Sequence, residues 1–372
     1  MMGMHTSRIA RFRGFALTDL IVVVAVLGLA AVLVTPAIGT LRTNAGLTGS
    51  QDNLRQMGLA NAAYSAANSG FTAGFDWEVD PRSGGFDPPP RRQFDIGCGS
   101  IREPGDNLEA AQYQLSAILR KATGRCGAIS SSEKIIADLN RLPYWRFMHH
   151  SLLDWMGAGA TEPVFTSPLD TNLQAFQTYT KPSEYGLLPG GDATYSGGTW
   201  GDSVATRMWP YTSSYRTTAY VWSPSRPLPS GDLAVEPTGN GLTLVRDANA
   251  FRPQLLSSVA FPSLKTHYFE EYDFSQGLGL EGRDFRDPLA AVNVLAFDGS
   301  ARRVATADAN PGWNPATFTD MTRSGQLPYV RIDTRYFREY TSGHTFAGPH
   351  LWTRGGLEGI DFGAGEVNTS EW

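Results

Sequence analysis

The first forty residues constrain this chain most, because they join a basic flank to an uninterrupted apolar run. Residues 1–13 carry three arginines and no acidic residue: Arg8, Arg11 and Arg13. From residue 20 to residue 34 every position is apolar or glycine. A helix over residues 15–38 would be about 36 Å long, enough to cross the ~30 Å hydrocarbon layer of a bilayer. Basic flanks stay in the cytoplasm, so the pattern predicts export of everything after residue 40.

Two simpler explanations of this segment compete with a specialised one. A secretory signal peptide has a shorter apolar region, about 7–15 residues, followed by a small-x-small cleavage site. Residues 36–39 offer only a poor site of that kind. A plain signal anchor fits the hydropathy but leaves Asp19, at the edge of the apolar run, unexplained. A carboxylate costs about 2.5 kcal/mol or more at the bilayer centre and less at its edge, so Asp19 is a candidate functional residue.

Residues 14–20, GFALTDL, and the following IVVVAVLGLAAVLVTPAI resemble the prepilin-type cleavage and methylation signal of type IV pilins and type II secretion pseudopilins. The resemblance implies that a prepilin peptidase cuts between Gly14 and Phe15 and methylates the new amino terminus on Phe15. It also implies that Asp19 is the assembly carboxylate and that Pro36 marks a helix kink. The family usually has Glu where this chain has the shorter Asp19.

The chemistry of this signature can be stated independently of the family. Cleavage would create a positive amine on Phe15, and in a filament the Asp19 carboxylate of one subunit can pair with the amine of its neighbour. Buried charges are tolerated only when they are paired, so such a pair would set the register of subunits more than it adds stability. The alternative is an N-terminal anchor in which the acid is incidental.

Two further stretches carry a second resemblance. Residues 50–64, SQDNLRQMGLANAAY, are similar to a segment of a large planctomycete-type group of pilin-like proteins that also have a C-terminal Asp-Gly motif. Residues 292–304, VNVLAFDGSARRV, match the downstream half of that motif, although Pro288 stands where its histidine is expected. The alternating apolar residues independently predict a β-hairpin with Asp298 and Gly299 in a type I′ turn. We interpret Asp298 as a turn residue and not as a ligand.

The pattern along the chain predicts a mixed α+β protein that is pilin-like. Apolar residues spaced three or four apart continue the helix beyond Pro36, and Asn68-Ser69-Gly70 predicts its end. We expect local unwinding near residues 46–49, where two glycines occur. Later segments, including 215–222 and 265–272, predict strands of an antiparallel sheet packed on the second half of the helix. The predicted division is a leader (1–14), a transmembrane half (15–38), a second helix half (39–68) and a globular domain (69–372).

The two cysteines, Cys98 and Cys126, flank a predicted amphipathic helix. Export to an oxidising compartment favours a disulfide between them, which would add roughly 3 to 4 kcal/mol by closing a loop of about 29 residues. Two free thiols are the alternative. No further ligands stand near them with metal spacing, so no metal site is predicted there.

Motifs for catalysis and cofactors are weak or missing in the sequence. It has no G-x-S-x-G, H-E-x-x-H or phosphate loop, so we predict no catalytic residue, no metal and no cofactor. Residues 277–282 match G-x-G-x-x-G, but no helix can follow them, and a flexible loop is the better interpretation. The adjacent His149 and His150 are expected to be surface or packed histidines. The acids at 270, 271 and 273 predict an acidic strand edge whose spacing matches no calcium cage.

The resemblance and the charge together define a predicted function. The net charge of −5 argues against a nucleic-acid partner. We expect a structural subunit, not an enzyme, of a type IV pilus or type II secretion pseudopilus, with a minor or tip location because the body is large. The implied partners are a prepilin peptidase, other pilin or pseudopilin subunits and an inner-membrane assembly platform. The implied location is a single pass of the inner membrane, with the C-terminal domain periplasmic or extracellular.

Two alternatives from other classes stay open. One is a singly membrane-anchored envelope protein that binds a ligand such as a glycan and never polymerises, since its interleaved aromatic residues could line a carbohydrate platform. The other is a membrane-tethered hydrolase whose carboxylates cannot be paired from sequence.

Overall fold

The computed structural model of the chain describes seven longer stretches and several short pieces. The longer stretches are residues 17–74, 147–157, 161–178, 211–222, 253–275, 289–310 and 356–365. The short pieces are 94–95, 101–103, 113–114, 117, 159, 194–195, 198–199, 235–237, 243–245, 283–285 and 349–351. The chain divides into two compact units, Met1–Ala45 and Gly46–Trp372.

Three α-helices lie within the described residues: α1 (Leu17–Ala67), α2 (Leu153–Met156) and α3 (Thr171–Thr178). Helix α1 ends where the backbone turns left-handed, at Ser69 with φ 53° and Gly70 with φ 84°. There the Gly70 N–H donates to the carbonyl of Ser65 at 2.8 Å, which satisfies one of the last free carbonyls of the helix. Asp170 caps α3, because its Oδ1 accepts the Leu173 N–H at 3.0 Å.

Short 3-10 helices connect these elements. They are Met148–Leu152, Pro163–Phe165, Ala219–Val221, Leu256–Ser258, Thr306–Asp308 and Gly356–Glu358.

The described residues form twelve short strands. They are β1 (Phe94–Asp95), β2 (Ile101–Arg102), β3 (Thr194–Tyr195), β4 (Gly198–Thr199), β5 (Tyr215–Thr217), β6 (Val235–Pro237), β7 (Thr243–Val245), β8 (Thr266–Glu270), β9 (Tyr272–Asp273), β10 (Arg283–Asp284), β11 (Ala291–Ala296) and β12 (Ala301–Ala305). Four of them make an antiparallel sheet in the order β12-β11-β8-β5, and the others pair in twos. Helices with an antiparallel four-stranded sheet confirm the mixed α+β class.

The central strands of this sheet are buried on both faces. All five residues of β8 are buried, and so are five of the six in β11. Side chains alternate between faces along a strand, so Tyr268 and Glu270 share one face and Phe269 lies on the other. Phe269 packs there against Phe285, with ring centroids 4.9 Å apart. The predicted strand at 215–222 is shorter than expected, because a 3-10 helix begins at Ala219.

The hairpin between β11 and β12 has a three-residue loop. The Gly299 N–H donates to the Ala296 carbonyl at 3.0 Å, and the Ala296 N–H donates to the Ser300 carbonyl at 2.9 Å. Gly299 has φ 85°, whereas Asp298 is not among the described non-glycine residues with positive φ. The predicted type I′ turn is therefore wrong: a type I turn ends at a left-handed glycine that forms a bulge. Asp298 caps the turn by accepting the Ser300 N–H at 2.9 Å.

Within the second unit, the C-terminal half of α1 contributes one apolar stripe to the core. The stripe consists of Leu54, Met57, Ala60 and Tyr64, all buried and spaced three or four apart. The same core cluster contains Tyr268 of β8 and Leu295 of β11. Full burial of one such large side chain stabilises the fold by roughly 1.5–3 kcal/mol, so this stripe holds the helix half on the sheet.

Glycines in α1 allow close approach and do not unwind the helix. Helix α1 is continuous through residues 46–49, so the expected local unwinding is wrong. A Cβ on Gly46 would lie 2.6 Å from Leu169 Cγ, and one on Gly49 would lie 3.0 Å from Pro168 Cγ. A Cβ on Gly58 would lie 3.0 Å from Leu295 Cδ2. Because glycine has no side chain, the helix backbone can lie directly against Leu169, Pro168 and Leu295 at these three positions.

Candidate functional site

The described side chains of the first unit form an apolar surface. Leu20, Ile21, Val22, Val23 and Val24 are consecutive and each is at least 44% exposed. Consecutive residues point in all directions around a helix, so this part of α1 is apolar on every side. The exposed apolar residues that follow are Val26, Leu27, Val32, Ile38 and Leu41. An apolar surface of this size marks a site that another apolar phase or partner covers.

Within the part of the chain that the structure describes, no helix is both long enough and apolar enough to cross a membrane.

Several predicted site residues lie outside what the structure describes. Gly14, Phe15, Cys98 and Cys126 are outside the described residues, as is the G-x-G-x-x-G loop at 277–282. Asp19 and Pro36 lie in α1, but their side chains are outside the description. The cleavage site, the assembly carboxylate, the kink and the disulfide therefore stay predictions.

In the second unit, the carboxylate of Glu270 joins four segments of the chain. Ser50 of α1 donates to Glu270 Oε1 at 2.5 Å, and Ser167 donates to the same oxygen at 2.9 Å. The backbone N–H of Asn293 in β11 donates to Oε2 at 3.0 Å. Glu270 is only 1% exposed. The Glu270 side chain thus fixes the position of α1 along its axis relative to β8, β11 and the loop before α3.

The hydrogen bonds continue from Ser50 toward the surface. Ser50 Oγ lies 3.0 Å from the hydroxyl of Tyr215, and Asn53 Nδ2 donates to that hydroxyl at 3.2 Å. Beside it, Ser214 donates to Asp170 Oδ2 at 2.7 Å, and its own oxygen accepts the Ser167 N–H at 3.0 Å. We call the set Ser50, Ser167, Tyr215, Glu270 and Asn293 the Glu270 junction.

Burial dominates the titration of the junction. Removal from water raises the pKa of Glu270, although the donors Ser50, Asn293 and Ser167 and the charge of Arg303 act in the opposite direction. Burial also raises the pKa of Tyr215, and the nearby Glu270 carboxylate raises it further. Both groups are therefore pushed toward their neutral forms, so the junction is a fixed hydrogen-bonded contact and not a solvent-facing acid.

The predicted acidic strand edge is wrong, because the three acids are buried and bonded in the fold. Glu271 accepts from Arg216 Nη1 at 2.9 Å, and both side chains are less than 10% exposed. Asp273 accepts from Arg303 Nη2 at 2.8 Å and from the Ala291 N–H at 2.9 Å. These acids hold neighbouring segments together, which is the usual condition for burying a charge.

A second buried cluster ties the segment around residue 361 to β8. Lys265 Nζ lies 3.1 Å from Asp361 Oδ1, and the Thr266 N–H donates to Oδ2 of the same carboxylate at 2.8 Å. Thr266 Oγ1 lies 3.0 Å from His350 Nδ1. His350 has φ 66°, a strained value for a residue with a side chain. Burial lowers the pKa of His350 to about 4.

The adjacent His149 and His150 are packed inside the second unit. Their ring centroids are 4.1 Å apart, and His150 Nε2 lies 2.8 Å from the Tyr211 carbonyl oxygen. Burial lowers the pKa of His150 to about 4, while the bond to that carbonyl acts against the shift.

Chemically, the buried clusters can hold segments of the chain together, and their charged groups are withdrawn from the surface. Glu270, Lys265 and Asp361 are each at most 1% exposed. Among the residues described, no group of three or more His, Cys, Asp or Glu side chains is arranged to hold a metal ion.

Comparisons with models of protein families, with curated proteins and with solved structures found no match to this chain.

Sequence reasoning missed the Glu270 junction. Ser50 and Glu270 are 220 residues apart, and no spacing rule connects them. The available signal was the polar Ser50 in register with the apolar stripe that begins at Leu54, four residues later in the same helix. A polar residue on a core-facing stripe indicates a buried partner, although it does not say which one.

Proposed function

We propose that this protein is a pilin-like structural subunit of a type IV pilus or a type II secretion pseudopilus, with a minor or tip location. Its apolar N-terminal helix half anchors the subunit in the inner membrane and packs it into a filament. The rest of the chain is carried on the periplasmic or extracellular side. A prepilin peptidase, sister subunits and an inner-membrane assembly platform are its proposed partners.

The single observation that carries the proposal is the apolar surface of α1 from Leu20 to Leu41. It follows the GFALTDL segment directly and is exposed on all sides of the helix where side chains are described. A surface of this kind is stable when lipid or other apolar helices cover it. A membrane-anchored filament subunit meets both conditions, first in the bilayer and then in the filament.

The second unit supports the same proposal in a coarser way. Residues 46–67 of α1 pack on an antiparallel sheet through the apolar stripe and the Glu270 junction. A helix that is apolar all round in one half and amphipathic in the other suits a subunit that polymerises through the first half. The second half then belongs to the exported body.

The first test is the amino terminus of the protein purified from the cell that makes it. We expect a mature chain that begins with N-methylated Phe15, seen by intact mass and N-terminal sequencing. Retention of residues 1–14 would contradict the pilin proposal and favour a singly anchored envelope protein.

The second test concerns Asp19, whose proposed role is to pair with the amine of a neighbouring subunit. We expect Asp19→Ala to keep membrane insertion but to lose at least ten-fold in filament incorporation, measured by immunoblot of sheared filaments against membranes. Asp19→Glu should retain incorporation, because it keeps the charge.

The matched control is Asp52→Ala, which removes an exposed acid from the same helix. Asp52 is paired only with the exposed Arg55 among the described contacts. Equal incorporation of Asp19→Ala and Asp52→Ala would refute the register role of Asp19.

A further inference from the structure

Two described pieces late in the chain lie against the four-stranded sheet without joining it. We call them the strap, and they are residues 349–351 and 356–365. Among the described residues the strap makes one isolated β-bridge, between Ala309 and Phe362, and no strand ladder. Its backbone meets the neighbouring loop through single hydrogen bonds, such as the one of 2.9 Å from the Asp361 N–H to the Leu264 carbonyl. Separate contacts of this kind can open locally while a laddered strand stays closed.

Two neighbouring residues where β8 begins hold the strap by polar contacts. Lys265 Nζ lies 3.1 Å from Asp361 Oδ1, and the Thr266 N–H donates to Oδ2 at 2.8 Å. Thr266 Oγ1 lies 3.0 Å from His350 Nδ1. His350 and Asp361 are each 1% exposed. We call these four residues the clasp, because they join both pieces of the strap to one end of β8.

The clasp accommodates a neutral His350 but not an imidazolium. An imidazolium donates from both ring nitrogens, whereas His350 Nε2 is buried and has no hydrogen-bond partner within the described part of the chain. Two described charges act on the ring. The Asp361 carboxylate favours its protonation and the Lys265 ammonium opposes it, but burial has the largest effect and lowers the pKa. The described ring neighbours, Phe269 and Phe362, supply no acceptor. Protonation therefore favours a state in which His350 reaches water.

Backbone strain at His350 acts in the same direction. Its φ of 66° is uncommon for a residue with a side chain, so the surrounding contacts must hold it there. Burial of Leu351, Leu357 and Phe362 opposes opening and keeps the strap closed while His350 is neutral. The balance between these effects changes only when the ring takes up a proton.

We propose that the strap is an acid-sensitive latch: protonation of His350 opens it on its own, while the sheet stays folded. Opening would expose Leu357, Phe362 and the start of β8. The latch does not depend on polymerisation, so it works whether or not the subunit enters a filament.

The number of protons taken up separates opening of the strap from unfolding of the second unit. One buried histidine with an unfolded pKa near 6.5 lowers protection against hydrogen exchange about eight-fold between pH 7.0 and pH 5.5, and three lower it roughly 600-fold. Three such histidines are buried in this unit: His150, His267 and His350.

The experiment is hydrogen exchange of the full chain in detergent, read by mass spectrometry as protection relative to an unstructured peptide at the same pH. Between pH 7.0 and pH 5.5 we expect protection to fall about eight-fold in residues 356–365 and several hundred-fold in β11. Protection in the strap that falls by the same factor as in β11, or does not fall, would overturn the latch. This comparison within the wild-type protein needs no variant.

Two matched variants each remove one buried histidine. His350→Asn tolerates a positive φ and cannot take up a proton, so protection of the strap should change less than about two-fold between the two pH values. His150→Gln can still donate to the Tyr211 carbonyl, and it should leave the eight-fold fall in the strap unchanged. An eight-fold fall that persists in His350→Asn would overturn the role of His350. None of these results depends on processing at Gly14.

Discussion

At the scale of single residues, Glu270 shows how one carboxylate positions several segments. Its oxygens accept from Ser50, Ser167 and the Asn293 N–H in a place that water does not reach. The donors favour the charged form, whereas burial favours the neutral one, and burial is the larger effect. Such a group adds little net stability, but its removal leaves three buried donors without an acceptor.

Substitution of Glu270 should separate its hydrogen bonds from its charge. We expect Glu270→Ala to lower the free energy of unfolding by about 3–5 kcal/mol, because it opens a cavity and strands the donors. Glu270→Gln should cost about 1 kcal/mol or less, because its carboxamide oxygen can accept the Asn293 N–H and serine hydroxyls can rotate. Urea unfolding of the full chain in detergent, followed by tryptophan fluorescence, measures both.

The pH dependence of the free energy of unfolding, compared between the wild-type protein and Glu270→Gln, tests the direction of the pKa shift of Glu270. A folded-state pKa raised above the unfolded value gives stability that is complete below the unfolded pKa and is lost as pH rises through the folded pKa. Wild-type protein should therefore lose stability relative to Glu270→Gln as pH increases from 4.5, the ordinary value for Glu. A difference that stays constant with pH would contradict this assignment.

At the scale of secondary structure, α1 combines poor helix formers with close packing. Glycine in a helix interior costs about 1 kcal/mol relative to alanine, and Gly46, Gly49 and Gly58 all carry that cost. Each of them faces a side chain of the second unit at a distance that leaves no room for a Cβ in ordinary contact. Packing against Leu169, Pro168 and Leu295 thus outweighs the local preference.

Alanine at Gly46 should therefore destabilise the fold, although it favours the helix. We expect Gly46→Ala to lower the free energy of unfolding by about 1–2 kcal/mol, because the strain of overpacking against Leu169 exceeds the gain in helix propensity. Gly39→Ala is the matched control, since a Cβ there meets nothing within 4 Å. Thermal unfolding of both variants in the same detergent checks the prediction. A Gly46→Ala protein as stable as Gly39→Ala would show that Leu169 can move away freely.

At the scale of the whole molecule, buried histidines link stability to pH. Burial lowers the pKa of His150 and His350 to about 4 and that of His267 to about 3. In the unfolded chain these groups titrate near 6.5, so between 6.5 and the lowered values the unfolded state binds more protons. The contribution of these histidines to stability is therefore complete above pH 6.5 and is lost as the pH falls below it.

The loss of stability caused by the three buried histidines predicts unfolding at mildly acidic pH. Each histidine costs about 1.4 kcal/mol per pH unit below 6.5, so three together cost about 4 kcal/mol per unit. A stability near 5 kcal/mol, the lower end for natural proteins, would then be exhausted at roughly pH 5.3. We expect His267→Phe, which retains a ring stacked on Phe297, to reduce the slope of stability against pH by about one third. An unchanged slope, measured by urea unfolding between pH 5 and pH 7, would contradict the role of His267.

Local patterns in the sequence predicted part of this architecture. The mixed α+β class followed from periodicities of 3.6 and 2, and the strand around residue 268 was expected for the same reason. The predicted type I′ turn at Asp298 was wrong. Asp-Gly favours that turn in a two-residue loop, whereas the loop of this hairpin has three residues. The prediction of an acidic strand edge was wrong as well. Glu271 and Asp273 are buried because each pairs with an arginine from another strand, Arg216 and Arg303.

The sequence by itself determined the apolar segment, its basic flank and the alternating apolar residues of the hairpin, because each of these features depends only on residues that are close in sequence. Only the tertiary structure decided that Ser50 bonds Glu270, that Gly46 faces Leu169 and that His350 lies beside Thr266. Hydropathy and periodicity act over one or two turns or strands, whereas these contacts join side chains brought together by packing of the whole second unit. Their partners follow from where the core places the backbone, which no local pattern contains.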